Sequence, residues 1–450
     1  MVVSIFILIP LIAIASLYFI NKSGANKRSA IFFAFTNFLA SAALILLIKY
    51  KKYQILSINF LNTDFLIDGL STFMLFASAT TVLVITLYSS RGVKKSIRKN
   101  RYFFFFFTLV LGINGILITT DFISLFIFQE VIILSAYYLF TTKKVVNEPL
   151  KSPLLSKLNF ITSLIIVIGI ILIYSNTNSL CFAALSEYFI NTENIGWTLF
   201  GLSIMFLGTL IKITLFPLFY RKTKKISSSQ YSATAIFSGL LVHIVLYIFI
   251  RFYTIFQFYE YFLASRILLA FGLLFLFGGT VISALQNNFR KTFTTHIIGQ
   301  VGFMLVALSF NTETALIALL LLIIHNMFAK TNIFLIAGWI NRHTGTLDIH
   351  SLSQVLKQSP LIGFNFFISA FSLAGIPPLG GFFGKYFLLK AGIEIDYIII
   401  TLVIIFSAIL FLYVMIKIWL EVFWKVEPTQ DKQLKLKKKD YWMIHSSTIL

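Results

Sequence analysis

From end to end the chain alternates long apolar runs with short polar stretches. A hydrocarbon core about 30 Å thick is crossed by about 20 apolar residues in a helix. Runs of that kind fall near 2–20, 30–48, 67–89, 102–119, 121–141, 158–175, 197–219, 231–254, 264–285, 293–310, 314–340, 360–394 and 397–424. The pattern predicts an all-α polytopic membrane protein with about 13 transmembrane helices. The first run has no basic stretch ahead of it and nothing after it resembles a cleavage site, so it reads as a membrane helix rather than a removed signal. Two runs contain helix breakers: Pro217 in the seventh, and Gly375-Ile-Pro-Pro378, with Pro377 and Pro378 adjacent, in the twelfth.

Composition supports this reading. Of 450 residues, 58% are hydrophobic and only 12% charged, against roughly a quarter charged in soluble domains. A single water-soluble core could not hide so much apolar side chain. The net charge of +21 changes the picture only through its distribution. Basic residues cluster in alternate loops: Lys22, Lys27 and Arg28; Arg91 to Arg101; Lys143, Lys144, Lys151 and Lys157; Arg221, Lys222, Lys224 and Lys225; Arg290 and Lys291; Arg342 and Lys357; and the tail from Lys425 to Lys439. The intervening loops hold few, chiefly Lys49, Lys51, Lys52 and Arg266. Basic residues so placed are topology signals rather than a nucleic-acid footprint. They predict a cytoplasmic-membrane protein with its N-terminus outside and its C-terminus in the cytoplasm.

Cys181 is alone and the six histidines are scattered, so no disulfide, cluster or metal-ligand spacing is visible. Nucleotide-binding glycine motifs are absent as well. The sequence therefore predicts no cofactor, and redox chemistry associated with this chain would lie on other subunits.

The informative residues are ionisable ones inside the apolar runs, where each charge costs roughly 2.5–3.5 kcal/mol to insert. They are Glu130, Lys212, His243, His325, Lys330 and Lys385. Burial penalises the charged form of a lysine and a nearby carboxylate restores it, so a buried lysine with a movable acidic partner is a switchable proton site. Histidine titrates near neutrality and suits a relay between lysines. Interrupted helices in two halves of a chain are a sequence pointer to a transport site, and Lys212 and Lys385 each lie beside one. A purely structural role competes most closely at His243 and His325, where a neutral hydrogen-bonded histidine is ordinary in a bundle, and less at Lys330, which could snorkel. His296 and Arg290 fall near the cytoplasmic boundary and read as structural.

These segments resemble the proton-conducting subunits shared by Mrp-type Na+/H+ antiporters and respiratory complex I. The resemblance runs from about Asp68 to Trp424. It is carried by Ile67-Asp-Gly-Leu-Ser71, Asn114-Gly-Ile-Leu-Ile-Thr-Thr-Asp121 leading to Glu130, the Lys212 to Pro217 segment, His325 to Lys330, and Ser372-Leu-Ala-Gly-Ile-Pro-Pro378 with Lys385. Three further segments are most similar to the D-type subunit of Mrp antiporters: His296-Ile-Ile-Gly-Gln-Val-Gly-Phe303, Asn341-Arg-His-Thr-Gly-Thr-Leu-Asp348 and Ile416-Lys-Ile-Trp-Leu-Glu-Val-Phe-Trp424.

The resemblance implies two inverted five-helix repeats, each with a broken helix. They would occupy 102–255 and 264–424, after N-terminal helices in 1–101 and before a basic tail in 425–450. It also implies a Glu130–Lys212 pair and a hydrated axis through Lys212, His243, Lys330 and Lys385. Protons, and Na+ by family, would be the transported ions; other antiporter subunits and the bilayer would be the partners. Against the family pattern, His243 replaces a common lysine, Arg221-Lys-Thr replaces Trp-Leu-Pro, and His325-Asn326 replaces a doubled histidine. Relatives usually carry a fourteenth span, whereas this chain stops soon after Trp442. The expected function is a transporter subunit of a multisubunit cation/proton antiporter. The alternatives are a proton-pumping subunit of complex I and an inactive membrane scaffold.

Overall fold

The computed structural model describes residues 2–19, 23–50, 56–60, 63–92, 96–140, 153–192, 195–222, 228–255 and 262–425. The basic tail expected over 425–450 lies, apart from Lys425, outside the described residues. Helices account for nearly all of the rest. Among the described residues, ten helices are long and apolar enough to cross a membrane. Three shorter apolar helices, Val3–Phe19, Gly196–Lys212 and Pro360–Ala374, fall on further predicted runs. Ten spans, rather than about 13, thus meet the length criterion on their own. The twelfth run falls short because it is cut in two at Gly375.

Two compact units are present: residues 1–215 with 247–256, and residues 216–246 with 257–450. The first contains α1 (Val2–Phe19), α2 (Ser23–Tyr50), the strands β1 (Leu56–Phe60) and β2 (Thr63–Ile67), α3 (Gly69–Gly92), α4 (Ser96–Ile118), α5 (Phe122–Phe140), α6 (Pro153–Thr177), α7 (Phe182–Asn191) and most of α8 (Gly196–Lys222). Helix α1 packs on α2 and α4, α2 on α3, and α4 on α5. The antiparallel β1–β2 hairpin pairs Leu56 with Ile67 and Phe60 with Thr63, and Phe65 bridges to Thr119 at the end of α4. No strand was expected in a fold read as all-α. The alternation of Leu56, Ile58 and Phe60 is the short period-two signal that the search for 20-residue runs passes over.

In the first unit two helix starts are set by side chains. Asp68 accepts from the Ser71 amide (2.8 Å) ahead of α3, and Asp121 from the Ser124 amide (2.7 Å) ahead of α5. Both satisfy amides that a helix leaves unpaired at its N-terminus.

The second unit contains α9 (Ser228–Ile236), a π-helical turn (Phe237–Leu241) and the start of α10 (Val242–Ile255), whose later residues belong to the first unit. It continues with α11 (Phe262–Ala284), α12 (Phe289–Phe310), α13 (Glu313–Thr344), the one-turn α14 (Val355–Gln358), α15 (Pro360–Ala374), α16 (Gly380–Glu394) and α17 (Ile398–Ile418), which ends in a second π turn (Trp419–Trp424). Helix α13 is central, packing on α9, the first π turn, α12, α15 and α16. It starts at the Thr312 side chain, which accepts from the Ala315 amide, and stops at Gly345 in the left-handed region. On α17, Ile404, Ser407, Phe411, Met415 and Ile418 are buried, while Ile399, Leu402, Phe406 and Ile409 are exposed. An apolar helix buried on one stripe and exposing large apolar side chains on the other suits a lipid or protein neighbour rather than water.

The two expected helix breaks have different outcomes. At Gly375 the chain leaves α15 with φ +89° and re-enters helix at Gly380, with Pro377 and Pro378 in the turn. Around Pro217 the backbone is helical without interruption from Gly196 to Lys222, so the interruption expected there is absent. A proline removes one amide donor and crowds the carbonyl four residues earlier, which bends a helix without having to end it.

Candidate ion-translocation site

The first cluster lies in the first unit. Glu130 comes from the middle of α5, Lys212 from α8 and Ser163 from α6. The Lys212 ammonium forms an ion pair with Glu130 Oε1 and also donates to Ser163 Oγ (3.1 Å). Ser163 Oγ in turn lies 2.8 Å from Glu130 Oε1. Phe126, one turn before Glu130 on α5, places its ring 5.7 Å from the Lys212 ammonium. The lysine side chain is only 3% exposed, against 23% for the carboxylate. The charge that is costlier to strand is therefore the one most enclosed.

Helices α6 and α8 approach closely enough for this because of glycines. A Cβ on Gly169 would stand 2.7 Å from the Gly201 carbonyl, and one on Gly201 3.0 Å from the Gly169 carbonyl. Lys212 follows Gly201 by eleven residues, three helical turns further along the face that meets α6. Sequence reading anticipated the Glu130–Lys212 pairing but missed Ser163, a lone hydroxyl in an apolar run that no spacing singles out.

It also missed a second ion pair in this unit. Arg251 on α10 donates to both carboxylate oxygens of Asp68 (2.5 and 2.6 Å) and to Ser71 Oγ (3.0 Å). Its Nε donates to the Tyr247 hydroxyl (2.8 Å), which donates to the Leu117 carbonyl at the end of α4. The pair joins α3, α4 and α10, a structural tie of the bidentate kind. A charged residue just inside the end of an apolar run was the available signal for it.

The second cluster lies in the second unit. His243 is fully buried; its Nδ1 pairs with the Gly239 carbonyl (2.9 Å) in the π turn, and its Nε2 has no partner among the described residues. Gly239 presses on α13, where a Cβ would stand 3.0 Å from the Met327 carbonyl. Lys330 on α13 is 2% exposed and its ammonium has no partner among the described residues. His325, on the same helix, lies against the first turn of α16: a Cβ on Gly381 would meet its ring at 2.8 Å. Neither of its ring nitrogens has a partner among the described residues.

Lys385 lies on α16 just beyond the break. Its ammonium donates to the carbonyls of Leu373 (2.9 Å) and Ala374 (2.7 Å), the last two residues of α15. The rings of Phe303 and Phe411 lie 5.1 and 5.8 Å from it. Among the described residues no carboxylate pairs with it. Its charge rests instead on the negative end of a half-helix and two aromatic faces. Gly375 makes this possible, since a Cβ there would sit 2.8 Å from Lys385 Cδ and the backbone at φ +89° disfavours any side chain.

The structure thus unites Glu130 with Lys212. It buries His243, Lys330 and Lys385 in one unit, with His325 against α16, and without direct hydrogen bonds among the four in the described residues. Buried polar atoms without partners are uncommon in folded proteins, and several of them fall in this one unit.

Comparison with known proteins settles the family. Residues 119–411 match the family described as NADH:quinone oxidoreductase/Mrp antiporter, transmembrane. The D-type Na(+)/H(+) antiporter subunit of Alkalihalophilus pseudofirmus is 32% identical over 96% of this chain and 88% of its own length. The chain belongs to the NADH:quinone oxidoreductase/Mrp antiporter membrane family. Two solved structures share the fold of this family member. One, of the Mrp complex from Dietzia sp., contains a chain 24% identical with TM-score 0.84, covering 96% of this chain and 82% of that one. The other, the membrane-bound sulfane sulfur reductase, an archaeal respiratory membrane complex, contains a chain 19% identical with TM-score 0.89, covering 100% and 93%. The fold is therefore common to antiporter and respiratory complexes and does not by itself choose between them.

Proposed function

We propose that this chain is the D-type membrane subunit of a multisubunit Na+/H+ antiporter and moves protons through its buried ionisable side chains. The observation that carries this reading is the Glu130–Lys212 pair with Ser163, an ion pair inside membrane helices of a family whose 32%-identical relative is named an antiporter subunit. A carboxylate that holds a buried ammonium, and on moving away leaves it uncompensated, converts a conformational change into release of a proton. Lys330 and Lys385, with no carboxylate partner at either among the described residues, are further stations at which a proton can rest, and His243 and His325 are groups that can pass one along. The remaining subunits of such a complex are the partners, and two inverted five-helix repeats over 102–255 and 264–424 are the frame. The alternation of basic loops supports an N-terminus outside and a cytoplasmic C-terminus.

The test is Na+-driven proton movement in everted vesicles carrying the full set of antiporter genes, compared with Lys212→Ala and Glu130→Ala. The reading expects each substitution to lower exchange by at least about a hundredfold while the chain still assembles. Normal exchange in both would make the chain a scaffold. Proton pumping that appears only on NADH addition would assign it to a respiratory complex instead.

A further inference from the structure

Sequence position alone assigned His296 to the boundary of α12 as a packing residue. In the structure it is fully buried. Its Nδ1 has no partner among the described residues, and its Nε2 lies 3.5 Å from the side-chain amide of Gln300, one turn along α12. Gln300 is also fully buried, and its Oε1 is likewise without a partner among the described residues. Two polar side chains on one helix face, each with an unsatisfied atom away from bulk water, cost more than packing alone would justify unless water joins them.

What lies beside them supplies the reason. The His296 ring packs on Phe411 of α17, centroid to centroid 4.2 Å, and the Lys385 ammonium lies 5.8 Å from the centroid of that same ring. Phe303, one turn beyond Gly299 on α12, faces both Phe411 (5.9 Å) and the Lys385 ammonium (5.1 Å). His296 and Lys385 are thus held around one aromatic residue, with Gln300 on the α12 side.

We infer that His296 and Gln300 form a branch that carries protons between Lys385 and the Phe289 end of α12. This inference rests on the proton-transport reading above and adds two residues to its route. In the step the Lys385 ammonium gives up one proton, becoming a neutral amine, and a water chain on the Gln300 side conveys it to one ring nitrogen of His296. The imidazolium then loses a proton from its other nitrogen, toward the end of the helix at which Phe289 begins. The first transfer makes the imidazolium, the second returns the imidazole to neutral with its proton on the opposite nitrogen, and no electrons are exchanged. Both groups lie against the Phe411 ring, and no hydrogen bond joins them among the described residues, so the route takes water as the carrier between them.

The experiment measures exchange in vesicles carrying the whole complex, with His296→Phe, His296→Gln and Gln300→Leu compared with the unsubstituted chain. His296→Phe keeps the aromatic contact with Phe411 and loses only the ring nitrogens, so a packing residue would tolerate it. The expected result is a fall of at least about tenfold with assembly unchanged, a smaller fall for Gln300→Leu, and His296→Gln lying between. An exchange rate for His296→Phe equal to that of the unsubstituted complex overturns the inference. If His296→Phe fails to assemble, normal exchange in assembled His296→Gln and Gln300→Leu overturns it equally. Loss of exchange in the unsubstituted complex itself would instead defeat the antiporter reading, which keeps the two failures apart.

Discussion

At the scale of single residues, what matters is how each buried charge is satisfied. Lys212 has a carboxylate and a hydroxyl; Lys385 has two carbonyls and two rings; Lys330 has no partner among the described residues. Ser163→Ala removes a hydroxyl bonded to both charges but leaves the Glu130–Lys212 pair, so it should slow exchange by about tenfold, the effect of losing about 1.5 kcal/mol, the low end for a hydrogen bond to a charged group. Vesicle assays at matched expression would measure that against Glu130→Ala. The charged members of both clusters were legible in the sequence because a buried lysine or glutamate is costly enough to stand out from an apolar run. Ser163 and Gln300 were not, since uncharged polar residues in membrane helices are common and give no sign of what they will meet in the folded chain. Nor was the burial of His296, whose position near the start of a run resembled a boundary.

At the scale of elements, the break between α15 and α16 does more than interrupt a helix. It turns the last carbonyls of α15 toward Lys385, and Gly375 is the residue that lets the lysine reach them. Gly375→Ala should therefore displace Lys385 and reduce exchange by about tenfold or more, because a small misplacement at a transfer site is expensive. Quantifying exchange alongside the helical content of the purified complex would separate this from unfolding, with helicity expected to hold. The break itself was readable from Gly375, Pro377 and Pro378. The π turns at Phe237–Leu241, which packs on α13, and Trp419–Trp424, which packs on α14 and α17, were not, because they leave no composition signal. Pro217 gave the opposite error, since a proline bends a helix more readily than it ends one.

At the scale of the molecule, exposed large apolar side chains, buried ionisable clusters within an apolar core and the family match describe a membrane protein. Stability at that scale depends on ties such as Arg251–Asp68, which joins three helices of the first unit. Arg251→Ala leaves a partly buried carboxylate without its bidentate partner and should cost about 2 kcal/mol. It would appear as a lowered thermal midpoint of the detergent-solubilised complex, with little change in exchange at low temperature. The basic loops predict a second global property. Fused after Leu450, a reporter that works only in the cytoplasm should be active, and one that works only outside the membrane should be silent.

Above all, Glu130 and Lys212 are held to act as one proton-handling unit, and a double-substitution cycle on exchange in vesicles carrying the whole complex probes this without intermediary. Groups that act together lose their joint contribution when either is removed. Glu130→Ala, Lys212→Ala and the double substitution should therefore all reach the same low rate. Independent losses that multiply in the double substitution, or near-normal exchange in either single one, would contradict it.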